Sequence, residues 1–447
     1  MQYPHLVRLT IEKLIYGGDG LARTPASGDD RRGKTVFVPY VLAGEEIEAE
    51  LIEERKGFSR ATLSQIVRPS AARVAPACEH FGRCGGCSYQ HAEYAAQLEA
   101  KRQILHESVL RGARLELPEI RVHSAEPFGF RNRTRMKIAC NPQFALGYFR
   151  HASHELEPVR HCPISSPLIN RAIAALWELA PEVEKHPGLR EVQFFSNHDD
   201  SALLVELLID PAAAATELKE LGRALRERMP EVAGVAVFYA GSREADDDDS
   251  GSISNSPRTV RAELIEGAEQ LTYRVGEFAY RVSAGSFFQT NRFLASKLVE
   301  LVTRDRSGRS ALDLYAGVGL FTRPLARSFE RVTAVEIAPR SCQDLAANTA
   351  VPHIRTEQST TEEFLKRARG RWDFAVVDPP RAGLGERAAK ALGALGAPQI
   401  TYVSCDPATL ARDLVPLTAA GYRVEEAHLV DLFPQTYHLE TILHLAR

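Results

Sequence analysis

Along residues 1–68, apolar and polar positions alternate in short runs, at 6–14, 35–40, 46–53 and 61–67. A period of two predicts strands with one buried face. Gly17-Gly18-Asp19-Gly20 supplies a turn that tolerates positive φ. Short strands at this spacing predict a small barrel of the oligonucleotide-binding type, serving as a structural β-domain or as an RNA-binding one. Helical spacing takes over at 91–110 through Tyr94, Leu98, Ile104, Leu105, Val109 and Leu110, with Gly112 placed to close the helix. Residues 130–139 read as a strand in which Arg131, Arg133, Arg135 and Lys137 alternate with other residues and so share one face. Helical stretches 168–179 and 215–229 then mix with strands 191–195, 202–208 and 232–239, a second α+β unit. The run Asp246 to Asp249, set among Ser and Gly, predicts a mobile surface loop over 241–257. Beyond 270, strands 310–315, 331–337, 372–378 and 399–404 alternate with helices, and 422–430 and 440–445 suit an antiparallel hairpin at one side. That is a doubly wound α/β sheet.

Length adds a domain count. A chain of 447 residues divides into two or three domains, here 1–68, 69–269 and 270–447, with the helix at 91–112 packed on the third. Hydrophobic content of 44% and charged content of 25% are those of an ordinary soluble protein. No apolar run approaches the ~18 residues of a membrane span, and the start lacks a signal-peptide pattern, so a cytoplasmic monomer without membrane contact is expected. The net charge of -3 decides nothing about nucleic acid, since clustering of charge matters there. Basic residues every second position along one strand suit a phosphate backbone.

Seven cysteines change the picture more. Cys78-x5-Cys84-Gly85-Gly86-Cys87 places three thiols within ten residues, and Cys162 is the best fourth ligand. In a cytosolic chain this points to zinc or an iron–sulfur cluster, which spacing alone does not separate. Cys405 ends the buried run 399–404 and is stopped by Asp406-Pro407, so it stands at the carboxyl end of a strand, where open α/β sheets place reactive groups. Leu312-Asp313-Leu314-Tyr315-Ala316-Gly317-Val318-Gly319 is a strand entering a glycine turn that lets a ligand approach backbone. Thr322 stands where a dinucleotide fingerprint wants glycine, which disfavours NAD. Asp313 suits the methionine end of S-adenosylmethionine instead, and Glu336 can accept both ribose hydroxyls. Asp378-Pro379-Pro380-Arg381 brings a carboxylate to a planar base. Phe287-Phe288-Gln289 offers either stacking surface or core.

In the order and type of these motifs the chain resembles the RNA 5-methyluridine methyltransferases, in particular the iron–sulfur type that carries an N-terminal TRAM domain and acts on 23S ribosomal RNA. The resemblance spans the barrel, the four cysteines, Phe130-Arg131-Asn132-Arg133, Phe287-Phe288-Gln289, 313–319, Asp378 to Arg381, Ser404-Cys405 and His438-x-Glu440. It implies three parts: a TRAM barrel, a central α+β domain with a [4Fe–4S] cluster on Cys78, Cys84, Cys87 and Cys162, and a Rossmann-like methyltransferase domain. It also implies cofactor contacts from Gln289, Tyr315, Glu336 and Asp378, and from Gln358 on the adenine side. Cys405 is then the nucleophile, Glu440 the base, and Arg131, Arg133, Phe287 and Asp378 meet a structured RNA with an unstacked uridine. Two departures stand out: Asp406 and Leu320 occupy places where family members often have Asn. A catalytically weak RNA-binding or assembly factor and a transfer-RNA methyltransferase are the rival readings.

Overall fold

The alternating runs at the N-terminus close into a five-stranded barrel, in the order Leu6–Leu14, Gly20–Arg23, Thr35–Val38, Phe58–Arg68 and Glu46–Glu54. Leu9, Ile11, Val36, Val38, Ile47, Ala49 and Ala61 fill its interior, the inward half of the period-two pattern. The strand Gly20–Arg23 escaped that pattern because it is short and opens on glycine. A Cβ at Gly20 would sit 2.3 Å from Val41 Cγ2, so packing excludes any larger residue there. The computed structural model describes residues 6–25, 33–140, 143–240 and 262–447; the expected loop at 241–257 lies outside them.

The helix Tyr94–Ala113 runs through Gly112 rather than ending at it, and Arg114 closes it in the left-handed conformation (φ 57°). A Cβ on Gly112 would come within 2.7 Å of Ala411 Cβ, so this glycine is a point of close helix approach. The helix joins a hydrophobic core with Leu312, Leu314, Tyr402, Leu410 and Leu414 of the C-terminal layer.

That layer is an eight-stranded sheet: Ile354–Gln358, Phe329–Glu336, Gly308–Leu314, Phe374–Val377, Gln399–Ser404, Glu440–Ala446, Arg423–Val430 and Ile120–His123. The first five are parallel, and Glu440–Ala446 is antiparallel to both its neighbours. The final two strands pair as expected, but Ile120–His123, from far upstream, adds a further parallel edge. Residues 94–123 therefore sit with the C-terminal layer. The strand order reverses between Gly308–Leu314 and Phe374–Val377, which opens a crevice at their carboxyl ends.

A seven-stranded sheet lies between barrel and C-terminal layer in sequence: Ala262–Gly267, Val232–Tyr239, Leu203–Ile209, Leu189–Ser196, Arg133–Ala139, Ala145–Phe149 and Leu156–Pro158. Its residues Phe195, Leu204, Ala236 and Phe238 share one core with Ala311, Val376 and Val403 of the catalytic sheet. The two layers are thus one packed body.

Candidate active site

Cys405 occupies the turn between the strand Gln399–Ser404 and the helix Pro407–Ala419. Asp406 is that helix's N-cap, and its carboxylate accepts from the N–H groups of Ala408 (3.0 Å) and Thr409 (2.8 Å). The acid beside Cys405 thus caps the helix end. The Cys405–Asp406 peptide is held on both edges: the Asp406 N–H donates to Ser404 Oγ at 3.3 Å, and the Cys405 carbonyl accepts from the Tyr16 hydroxyl at 3.3 Å. Tyr16 comes from the barrel, which sequence reasoning did not connect to this site.

Ser404 pairs with Thr441 across antiparallel strands, so Glu440 lies one step further along, opposite Cys405 and on the same face. Glu440 is 5% exposed. Burial and the neighbouring Asp378 push its carboxyl well above the usual range, against the pull of Arg381. Burial raises Asp378 to about 7. The Cys405 thiol is raised by burial and by Glu440, Asp378 and Asp406, and lowered by Arg381. Arg381 Nη2 donates to His438 Nδ1 at 2.9 Å, and burial together with that guanidinium keeps His438 well below its ordinary value.

The glycine turn follows Tyr315, which adopts φ 62°, strained for an aromatic residue. Gly317 (φ 55°) has nothing within 4 Å of where a Cβ would be, whereas Gly319 (φ 94°) abuts Leu345 Cδ1 at 3.0 Å. One glycine leaves space and the other permits packing. The Glu336 carboxylate accepts from the N–H of Gly317 (2.9 Å) and those of Ile337 and Ala338 (2.8 Å each). Asp313 is fully buried and raised to about 7 by burial; it accepts from Thr322 Oγ1 at 2.5 Å, and its Oδ1 has no partner among the described residues. The threonine that spoils a dinucleotide fingerprint is thus the partner of this acid. Leu320 is core, and its carbonyl accepts from Tyr280. Gln358 ends the adjacent strand, exposed, and donates to the Ile337 carbonyl at 3.2 Å.

The Phe287-Phe288-Gln289 segment is fixed from below. Buried Asp344 accepts from the Ser283 N–H (2.8 Å), Ser283 Oγ (2.7 Å) and Ser286 Oγ (2.7 Å), and Asn132 Nδ2 donates to the Gln289 carbonyl at 3.1 Å. Phe288 is core, its ring 4.5 Å from that of Tyr273, while Phe287 is 41% exposed. Of the two, Phe288 is the core residue and Phe287 faces outward.

The basic strand is corrected. Arg133 is buried, donates to the Ser286 carbonyl at 2.7 Å and lies 4.1 Å over the Phe195 ring, so it is not available to RNA. Arg135 and Lys137 both pair with Glu191 on the next strand. Arg131 stands outside the strand, bridged to Ser165 and Asn291, with a buried Nε that has no partner among the described residues.

Arg131 lines a cavity together with Cys78, Cys84, Cys87 and Cys162, all free thiols. Among the described residues, no group of three or more His, Cys, Asp or Glu is placed to hold a metal ion. Sulfurs on a single tetrahedral ion stand roughly 3.8 Å apart, and a cluster with several irons at its centre separates them further. Cys78, Cys84, Cys87 and Cys162 line one cavity with the Arg131 guanidinium beside them. Gly85 allows the loop to dock: its N–H donates to the Phe149 carbonyl at 2.9 Å, and a Cβ would lie 3.1 Å from that oxygen.

No described helix is long and apolar enough to cross a membrane. The sequence matches the tRNA (uracil-5-)-methyltransferase family over residues 259–447 and the TRAM domain over residues 6–64. An uncharacterized RNA methyltransferase of Aquifex aeolicus is 34% identical over 98% of this chain and 97% of its own. The 23S rRNA (uracil(1939)-C(5))-methyltransferase RlmD of Chromohalobacter salexigens is 31% identical over 98% of this chain and 89% of its own. The Pyrococcus abyssi tRNA (uracil-54, C5)-methyltransferase, solved with S-adenosyl-L-homocysteine, superposes with a TM-score of 0.73 at 26% identity, covering 98% of this chain and all of that one. The chain belongs to the RNA uracil-5-methyltransferase family and carries that family's TRAM domain.

Proposed function

We propose that the protein methylates carbon 5 of a uridine in 23S ribosomal RNA through a temporary bond between Cys405 and carbon 6 of the base. The juxtaposition of Cys405, Glu440 and Asp378 at the crevice carries this reading. When bound, S-adenosylmethionine supplies an electrophilic methyl group. Tyr315, Gly317, Gly319 and Glu336 would hold it, with Gln289 and Gln358 at its flanks; the orphaned Asp313 Oδ1 and the open space at Gly317 suit such a ligand.

Uracil carbon 5 is too poor a nucleophile to take a methyl group unaided. The Cys405 thiolate adds to carbon 6, forming an S–C bond and moving an electron pair onto carbon 5 and the O4 side of the ring. Carbon 5 would then take the methyl carbon as the methyl–sulfonium bond breaks, its electron pair staying on sulfur, so that S-adenosyl-L-homocysteine leaves. Glu440 removes the carbon 5 proton, the freed electron pair restores the ring double bond, and the thiolate leaves. Burial raises the Asp378 carboxyl, and in its protonated form it would donate to a uracil carbonyl. Phe287 offers the exposed face for a flipped base, and a folded RNA loop suits this better than a regular duplex.

The RlmD relative is 31% identical against 26% for the transfer-RNA methyltransferase, each over 98% of this chain, which favours ribosomal RNA as substrate. The tests are direct. Cys405→Ala should abolish 5-methyluridine formation in ribosomal RNA from cells lacking the native protein. Glu440→Gln should accumulate a protein–RNA adduct that survives denaturing gels, and normal turnover in that variant would remove Glu440 as the base. The four cysteines are assigned to a [4Fe–4S] cluster beside Arg131. Iron and acid-labile sulfide should co-purify without oxygen in equal amounts; zinc without sulfide would refute it.

A further inference from the structure

The barrel's first turn is wedged into the catalytic machinery. Residues 15–19 form a tight turn, with the Ile15 N–H donating to the Asp19 carbonyl at 2.9 Å and the Gly18 N–H to the Ile15 carbonyl at 3.2 Å. Gly18 has φ 96°, and a Cβ there would lie 3.0 Å from Ser88 Cβ and 3.4 Å from Tyr437 Cδ1. The turn therefore sits between the cysteine loop, which ends at Ser88, and the loop that leads into Glu440. Tyr16 projects from it, edge-on to Tyr437 with ring centroids 5.5 Å apart, and donates its hydroxyl to the Cys405 carbonyl.

That hydrogen bond acts on one of the two peptides flanking Cys405, whose orientation helps set where its side chain points. The other edge of the same peptide is held by Ser404 Oγ. We propose that Tyr16 is a positioning residue for the nucleophile, supplied by the RNA-binding barrel, so that a correctly seated barrel is required to aim the Cys405 sulfur at the pyrimidine. Burial raises the phenol above its ordinary value, with Asp406 adding to this and Arg381 opposing it, so Tyr16 stays a donor throughout the working pH range.

The inference rests on Cys405 being the nucleophile. Tyr16→Phe keeps the ring against Tyr437 and removes only the donor. In steady-state methylation of ribosomal RNA it should lower kcat about five- to tenfold, the scale of one neutral hydrogen bond, with KM for RNA unchanged. RNA carrying 5-fluorouridine cannot give up the carbon 5 substituent and should trap the Cys405 adduct; the trapping rate should fall by the same factor. Gly18→Ala, which pushes the turn off Ser88 and Tyr437, should reproduce the loss with Tyr16 intact, at a melting temperature still above the assay temperature. Unchanged kcat and trapping rate in Tyr16→Phe would overturn the proposal, as would a rise in KM alone, which would make Tyr16 an RNA contact. Failure of the unaltered protein to form any adduct would instead sink the nucleophile assignment.

Discussion

Burial and the carboxylates of Glu440, Asp378 and Asp406 hold the proton on Cys405, while the Arg381 guanidinium favours the thiolate. A raised thiol means a small thiolate fraction near neutrality, and that fraction grows as pH rises. The rate should therefore climb with pH through the neutral and mildly alkaline range. Removing Arg381 raises the thiol further, so in Arg381→Gln the limb should move to higher pH. The loss should be about tenfold or more and much the same across the range, because the thiol titrates above it in both proteins. A kcat/KM profile from pH 6 to 9.5 checks this, and an unchanged rate in Arg381→Gln would mean that the guanidinium does not govern the thiolate. Residues of this kind were legible in the sequence where chemistry restricts both type and place. Cys405, Asp378 and Glu336 each stand at the carboxyl end of a parallel strand, as the sequence implied. Asp406 was legible in part: its charge raises the Cys405 thiol, as an adjacent acid should, but its role as helix cap depends on backbone angles (φ -137°, ψ 116°) that only the folded turn reveals.

At the scale of elements, the period along a strand predicts which residues share a face but not what covers that face. The strand Arg133–Ala139 keeps its alternation, yet Arg133 is buried under Phe195 and Ser286, and Glu191 on the adjacent strand neutralises Arg135 and Lys137. Glu191 lies directly across from Lys137 in the register. No local pattern could supply that pairing, because the partner is more than fifty residues away and its register is set by the sheet. The helix at Tyr94–Ala113 teaches the converse. Gly112 looked like a stop, and instead it marks where the helix meets Ala411. The doubly wound order, by contrast, was readable because buried parallel strands separated by helices allow few arrangements.

The whole molecule adds what no single element carries, which is how distant segments close the sheet. Ile120–His123 is only four residues long and its place beside Arg423–Val430 could not be foreseen. A row of histidines crosses that edge: His123 Nε2 is 3.0 Å from His428 Nδ1, the His428 and His444 rings are 5.4 Å apart, and His444 Nδ1 meets Thr401 Oγ1 at 2.9 Å. Burial holds all three below the ordinary imidazole value, His123 and His444 to about 4. Arg121 and Lys297 face His123, Arg121 and Arg304 face His428, and Arg306 faces His444, all adding to the shift, while Glu426 opposes it at His428 and His444 and Glu300 opposes it at His123. A folded pKa below the unfolded ~6.5 gives stability that is complete above that pH and is lost as pH falls towards 4. Asp313 and Asp378, raised to about 7, work in the opposite direction over much of the same range, so the net slope of the unaltered protein is not diagnostic. The difference between two proteins is. In His444→Gln, urea unfolding measured at intervals from pH 7 to 4.5 should show a stability slope shallower in its acid loss by about one proton. Identical slopes would mean that His444 is already charged in the folded sheet, and the row would then be held by its neighbouring carboxylates rather than by the exclusion of protons.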